Sequence, residues 1–94
     1  MDRSNLKNQY DTRYLANRMA RTVGHVKLVR SMVESGEDCT DVLVQLAAVR
    51  GQLDSICGYI MGQYAEQYAE EFRKTGDEKL VEQFKNDLAR VMKG

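Results

Sequence analysis

The segment CTDVLVQLAAVRG, residues 39–51, contains a cysteine and an arginine whose positions could support chemistry. Cys39 lies at a predicted helix start, where backbone N–H groups and the helix dipole favour the reactive thiolate form. The neighbouring acidic residues Glu37, Asp38 and Asp41 oppose that effect. The local sequence therefore leaves two interpretations of Cys39 open, a reactive thiol and an ordinary cysteine.

Arg50 lies among apolar residues of the same segment, so its guanidinium needs an anionic partner. Asp54, one helical turn later, is one candidate for an ion pair. A phosphate group is the other candidate, because the planar guanidinium can donate two parallel hydrogen bonds to phosphate oxygens. Both partners stay open at the level of sequence.

A second cationic group comes earlier in the chain, where Arg18, Arg21 and His25 share one arc of a predicted helix. The chain as a whole has 14 basic and 14 acidic residues, but residues 1–30 contain seven basic and two acidic ones. This uneven charge predicts a polyanionic partner for the first helix. A solvated helix face is the alternative interpretation of the same residues.

The elements that position these residues are predicted to be three helices, because the apolar spacing is helical throughout and proline is absent. They are expected over residues 11–35, 39–74 and 78–92, with Gly36 and Gly76 ending the first two. A second helix of roughly 52 Å is much longer than a single domain of 94 residues needs. Its uncovered apolar residues predict an obligate homo-oligomer, most simply an antiparallel dimer through this helix.

Several classes of protein are not indicated by the sequence. No apolar run is long enough to cross a membrane and no secretory leader is apparent, so we expect a cytoplasmic protein without a membrane partner. Cys39 and Cys57 would lie about 27 Å apart on one helix, too far for a disulfide, and Cys57 is expected to pack among apolar residues. We find no metal-ligand spacing, no cofactor motif and no acid–base pair. The sequence therefore predicts a protein that binds no metal or cofactor and is not an enzyme.

Two segments, RMARTVGHVKLVRSMVESGEDC and CTDVLVQLAAVRG, together resemble the small helical repressors of the CsoR/RcnR/FrmR family over about residues 15–92. Members of that family sense copper, nickel or cobalt, formaldehyde, or persulfides. The resemblance implies an all-α, three-helix protomer over residues 1–94, an antiparallel dimer and a disc-like homotetramer built as a dimer of dimers. It also implies binding to double-stranded operator DNA, with Arg18 and Arg50 matching the family's DNA-binding arginines and Arg21 and Lys27 as added phosphate contacts.

The same resemblance makes Cys39 the counterpart of the family's sensing cysteine. In metal sensors of the family, a histidine and a cysteine from the partner's second helix join it, but here those positions are Tyr64 and Tyr68. Tyrosines are poor ligands for Cu(I), which prefers thiolates. We therefore expect an effector at or near Cys39 that is an electrophile or a sulfur species rather than copper.

Three alternatives remain at this stage. The first is a metal-responsive repressor with a non-standard site, and the second is a helical oligomeric module that does not bind DNA. The third is a small helical enzyme with a site between subunits. Salt-dependent DNA binding would separate either kind of repressor from the helical module and from the enzyme.

Overall fold

The computed structural model describes residues 10–93, which form three helices. They are α1 (Thr12–Glu34), α2 (Cys39–Thr75) and α3 (Glu78–Lys93). Only short turns connect them, and the described part of the chain contains no strand. The predicted all-α, three-helix class is confirmed, and each predicted helix boundary lies within one residue of the observed one.

The ends of α1 are set by local hydrogen bonds that the sequence encodes. Asp11 is the N-cap, and its side chain accepts a 3.0 Å hydrogen bond from the backbone N–H of Tyr14. At the other end, Gly36 adopts a φ of 71°, in the left-handed region that favours glycine. The N–H groups of Gly36 and Glu37 bond back to the carbonyls of Val33 and Met32, at 3.1 and 3.0 Å. This Schellman pattern satisfies the last carbonyls of α1 and ends the helix.

The turn between α2 and α3 is built in a similar way. Gly76 has a φ of 65°, and its N–H bonds to the Phe72 carbonyl at 2.7 Å. Asp77 then begins α3, because its carboxylate accepts a 3.0 Å hydrogen bond from the Lys79 N–H. The turn is therefore a glycine C-cap followed directly by an aspartate N-cap.

The described chain divides into two compact units, residues 10–60 and residues 61–93. In the first unit, α1 packs antiparallel against the first part of α2, since Tyr14 contacts Tyr59 while His25 contacts Gln45 and Gln52. The buried residues recur every seven positions on both helices, which is the spacing of a coiled-coil seam. They are Leu15, Thr22 and Val29 on α1, and Val49 and Ile56 on α2.

The second unit is a shorter hairpin made by the last part of α2 and by α3. Leu80, only 2% exposed, is its most buried apolar residue. Tyr68 from α2 packs its ring against Phe84 from α3, with centroids 5.4 Å apart. Within residues 10–93, no helix combines the length and apolar character needed to cross a membrane.

The helical spacing of the sequence predicts an apolar stripe along α1, and half of it is not covered within the first unit. The stripe comprises Leu15, Met19, Thr22, Val26, Val29 and Val33. Met19, Val26 and Val33 are 51%, 48% and 60% exposed, although they alternate with the buried residues of the seam. Successive residues of the stripe are alternately four and three positions apart, which spreads them over two adjacent faces of α1. The first part of α2 covers only one of these faces. Leu46 and Leu53 of α2 are similarly exposed.

Candidate functional site

A cationic groove lies on the first unit, between α1 and the first part of α2. It has a volume of about 280 Å³ and is lined by Arg18, Arg21, Thr22, His25 and Gln52. The three residues that the sequence placed on one arc of α1 therefore line one concavity. Two guanidinium groups beside polar side chains suit an anionic ligand such as phosphate.

Arg18 is held in place by residues of both helices. Its guanidinium donates a 2.7 Å hydrogen bond to the Ser55 hydroxyl on α2. It also lies over the ring of Tyr14, 5.7 Å from the centroid, in a cation–π contact. The Tyr14 ring in turn packs against Tyr59 at 5.2 Å. These contacts restrict the rotamers of a long side chain before any ligand binds.

His25 is fixed by two glutamine side chains of α2. Its Nε2 lies 2.7 Å from Oε1 of Gln45, and its Nδ1 lies 2.8 Å from Nε2 of Gln52. Because an amide oxygen accepts and an amide nitrogen donates, the ring donates from Nε2 and accepts at Nδ1. His25 therefore uses both ring nitrogens to join α1 to α2, a role that sequence reasoning did not anticipate.

The other two predicted DNA contacts, Lys27 and Arg50, do not line the groove. Both side chains are exposed. Leu46 and Leu53 lie one turn from Arg50 on the same face of α2, but both are themselves about half exposed, so Arg50 is not buried among them in the protomer. Among residues 10–93, Arg50 forms no ion pair with Asp54, one of the two partners that the sequence left open. Arg50 is thus an exposed cation on the surface of the first unit.

Cys39 is the first residue of α2, and its side chain is exposed. Asp38 precedes it as the N-cap, accepting a 3.0 Å hydrogen bond from the N–H of Thr40. The predicted position at a helix start is confirmed. Cys57 is also exposed in the protomer, so the packing expected for this second cysteine is not found within one protomer.

Tyr64, Tyr68 and Asp87 form a polar cluster on the second unit, which we name the phenol–carboxylate cluster. Tyr68 and Asp87 are buried and Tyr64 is partly buried. Both tyrosines donate to the same atom, Oδ2 of Asp87, and the distance from Tyr68 is 3.2 Å. The two phenol oxygens are 3.1 Å apart. The cluster joins α2 to α3, and its carboxylate comes from a residue that sequence reasoning missed.

A signal for Asp87 was present in the sequence. It lies seven residues after Leu80 and three after Phe84, so it occupies a position of the apolar stripe of α3. An acidic residue at such a position must be buried and needs donors. Asp87 is 9% exposed, and the two phenols supply hydrogen bonds to it.

The environment of Tyr68 favours its neutral form. Burial of this side chain, which is 4% exposed, raises the pKa of its phenol well above the usual value, and the adjacent Tyr64 and Asp87 raise it further. Tyr64 and Tyr68 pack edge to face, with centroids 4.9 Å apart. The cluster therefore holds its phenols as hydrogen-bond donors.

Comparison with known proteins identifies the family. The profile of the family described as metal-sensitive transcriptional repressors matches residues 11–93. The chain belongs to the CsoR/RcnR family. The copper-sensing transcriptional repressor CsoR of Bacillus subtilis (strain 168) is 29% identical over 73 residues, which cover 78% of this chain and 72% of that protein.

A solved structure of the CsoR/RcnR family has the same fold. The nickel-responsive transcriptional regulator InrS superposes with a TM-score of 0.82 and 32% sequence identity, covering 88% of this chain and 94% of that one. The predicted family is confirmed. Because the family consists of transcriptional repressors, the chain is not an enzyme, as the sequence also predicted.

The donor atoms of this chain fit the soft or borderline metals of those two relatives poorly. Among the residues described, no three His, Cys, Asp or Glu side chains converge as a metal site of those donors requires. The phenol–carboxylate cluster offers only oxygen atoms. Copper and nickel favour thiolate and imidazole ligands, whereas oxygen donors suit harder cations.

Proposed function

We propose that this protein is a transcriptional repressor that binds double-stranded operator DNA and is released by an effector acting at or near Cys39. The cationic groove carries this proposal, because it places Arg18 and Arg21 side by side on a chain of the repressor family. We further propose that the protein acts in the cytoplasm, where its operator lies.

The charge of α1 supports a DNA contact. This helix contains five basic residues and one acidic residue. Neutralising backbone phosphates supplies much of the affinity of DNA-binding proteins. We assign Arg18 and Arg21 to phosphate contacts through the groove, and Lys27 and Arg50 to further contacts from exposed positions of the same unit.

The uncovered apolar residues support an oligomeric repressor. Exposed apolar side chains on α1 and α2 would be energetically costly if they stayed in contact with water. They are well placed on helix surfaces to be covered by another copy of the chain. We propose an antiparallel dimer through α2 that assembles further into a dimer of dimers, forming a homotetramer.

The position of Cys39 supports a thiol-based effector. Its side chain is exposed at the first residue of α2, where a reactive small molecule can reach the sulfur. We propose that an electrophile or a sulfur species reacts there, and that Tyr64 and Tyr68 of a neighbouring protomer flank the site. Copper is not the proposed effector, since Tyr64 and Tyr68 stand where the family's metal sensors have a histidine and a cysteine, and tyrosines are poor ligands for Cu(I).

DNA binding can be tested with a duplex that the wild-type protein selects from a random library. Affinity for this duplex should fall steeply with salt, and Arg18→Ala or Arg50→Ala should lower the salt slope by about 1 for each phosphate that is no longer neutralised. The matched control is Arg30→Ala on α1, because Arg30 already pairs with Glu34 at 3.8 Å. Salt-independent binding, or equal losses of affinity in all three variants, would contradict the proposed DNA surface.

The effector site can be tested by comparing the two exposed cysteines. Formaldehyde and a sodium polysulfide serve as probes, and release of the selected duplex is the readout. We expect Cys39→Ala to bind DNA normally and to lose release by the active probe, while the control Cys57→Ala keeps it. Unchanged release from Cys39→Ala would sink the thiol mechanism without affecting the DNA-binding assignment.

A further inference from the structure

The side-chain amide of Gln52 uses only one of its two ends within the cationic groove. Gln52 lines the groove, and its Nε2 donates a 2.8 Å hydrogen bond to Nδ1 of His25. Its Oε1 accepts no hydrogen bond from residues 10–93 and is open to solvent. An amide oxygen is an acceptor, so this orientation leaves an acceptor exposed in a groove that has two guanidinium groups. The oxygens of a phosphate are also acceptors and are repelled by it.

The protonation state of His25 decides which end of the Gln52 amide faces the ring. The neutral ring donates from Nε2 to Gln45 and accepts at Nδ1, so Gln52 must donate. When a proton from solvent adds to Nδ1, both ring nitrogens become donors. Gln45 already accepts and keeps its bond, whereas Gln52 must rotate its amide to present Oε1 to the ring. The rotation turns the NH₂ group of Gln52 away from the ring and toward solvent.

We propose that Gln52, turned by protonation of His25, donates a hydrogen bond to the phosphate held by Arg18 and Arg21 in the cationic groove. This role depends on the function proposed above, which assigns the two arginines to backbone phosphates of DNA, and it links that contact to a proton. Adding the proton forms one N–H bond on His25 and breaks no bond within the protein. The matching ligand is an oxyanion that offers only acceptors, such as the phosphodiester of DNA.

The charges of α1 explain why the proton and the phosphate should bind together. Arg18 and Arg21 line the same groove as His25, and in the free protein their positive charges oppose a further positive charge on the ring. A bound phosphate brings negative charge to the same groove and offsets that repulsion. Each binding event therefore favours the other, and the coupling is reciprocal.

The side of α2 that faces His25 supplies no charge that would stabilise the protonated ring instead. It presents the neutral amides of Gln45 and Gln52 to the two ring nitrogens. The acidic residue Asp41, one turn before Gln45, is exposed. Within the described range 10–93, neither Asp41 nor His25 takes part in an ion pair. The negative charge that favours a protonated His25 therefore comes from the ligand.

Affinity for DNA should consequently rise as the pH falls. Histidine is the side chain whose charge ordinarily changes between about pH 5 and pH 8. Because the DNA-bound state takes up a proton that the free protein lacks, binding tightens toward lower pH, by at most about tenfold per pH unit for each proton. We expect a gain of about fivefold or more between about pH 8 and about pH 6.

The experiment measures the affinity of the full-length protein for the selected duplex at these two pH values and at constant ionic strength. His25→Gln keeps a polar side chain that cannot be protonated, and we expect it to abolish the gain. Gln52→Leu removes the rotating amide and should reduce the gain, whereas the matched control Gln63→Leu should keep it. A wild-type gain that persists in His25→Gln would overturn the proposal, because another group would then take up the proton.

Imidazole ¹⁵N NMR tests the wild-type protein without any substitution, since His25 is the one histidine of the chain. At about pH 7, in the range where histidine titrates, adding the duplex should shift its two ring signals toward those of the imidazolium form. Unchanged ring signals in a protein saturated with DNA would show that the phosphate contact is independent of the proton, and would overturn the proposal.

Inorganic sulfate distinguishes this proposal from the proposed function, because it is an oxyanion that does not titrate in this range. Sulfate should shift the His25 signals toward imidazolium in the wild type and not in Arg18→Ala, with sodium chloride at equal ionic strength as the control. A protein that responds to sulfate but binds no DNA would contradict the repressor function and support the proton-linked groove. Equal affinity for the duplex at both pH values would overturn the proton linkage and leave DNA binding intact. No response to sulfate or to the duplex would overturn both.

Discussion

The Tyr68 hydroxyl donates a 3.2 Å hydrogen bond to Oδ2 of Asp87, and both side chains are buried. A buried carboxylate is stable only when donors replace the water that solvates it in the unfolded chain. Tyr64 supplies a second donor to the same oxygen. The phenol–carboxylate cluster therefore gives the hairpin of residues 61–93 a polar connection in addition to its apolar packing.

Removing the carboxylate should destabilise this hairpin. In Asp87→Ala, two phenols lose their acceptor in a buried setting, and we expect the free energy of unfolding to fall by about 1–3 kcal/mol. Urea denaturation at a fixed protein concentration measures the change. The control Asp54→Ala removes an exposed carboxylate of α2 and should alter stability by less than about 0.5 kcal/mol. Equal effects of the two substitutions would contradict a stabilising role for the cluster.

The raised pKa of the Tyr68 phenol predicts a loss of stability in alkaline solution. Burial, reinforced by Tyr64 and Asp87, raises this pKa above the value of the unfolded chain, which is near 10. The folded state then keeps a proton that the unfolded state releases above about pH 10. The stabilisation is full below that pH and is lost as pH rises toward the folded pKa, at up to about 1.4 kcal/mol per pH unit.

Urea denaturation of metal-free protein across this pH range provides the measurement. Other groups also titrate there, so the comparison that isolates Tyr68 is the difference between wild type and Tyr68→Phe. We expect the wild-type stability to decline more steeply than that of the variant. Parallel declines would show that Tyr68 ionises equally easily in the folded and unfolded states.

The helix boundaries could be predicted because they depend on local chemistry. Asp11 and Asp77 cap helices through their own side chains, and Gly36 and Gly76 adopt left-handed φ values that other residues rarely accept. These interactions involve residues within a few positions of one another. A single sequence contains all the information they need.

The buried residues were harder to predict, because burial depends on which face of a helix packs against another helix. The stripe of α1 contained both Thr22, which is buried, and Val26, which is exposed, and hydrophobicity alone ranks them in the opposite order. Asp87 was missed because an acidic residue on a short helix usually faces solvent. Its role depends on tyrosines 19 and 23 residues earlier in the chain, a pairing that only the folded hairpin reveals.

The two amides around His25 should fix its tautomer. Gln45 accepts from Nε2 and Gln52 donates to Nδ1, so we expect the neutral ring to have its proton on Nε2. Imidazole ¹⁵N NMR in alkaline buffer measures this directly, since the chain has one histidine. Gln45→Leu should shift the population toward Nδ1–H, with the Gln52 amide rotated to accept, while the control Gln63→Leu should not. A wild-type ring protonated at Nδ1 would contradict the assigned hydrogen bonds.

The bond from Arg18 to Ser55 should affect DNA affinity without affecting its salt dependence. Ser55→Ala removes a 2.7 Å hydrogen bond but leaves the positive charge, so the guanidinium must be ordered when DNA binds. We expect affinity for the selected duplex to fall about 2- to 10-fold, equivalent to the net value of one hydrogen bond. The salt slope should stay at its wild-type value, in contrast to Arg18→Ala, which removes a charge that releases counterions. Ser55→Thr keeps the hydroxyl and should restore affinity. If Ser55→Ala and Ser55→Thr weaken binding equally, the hydroxyl does not position Arg18, and the groove binds DNA through charge alone.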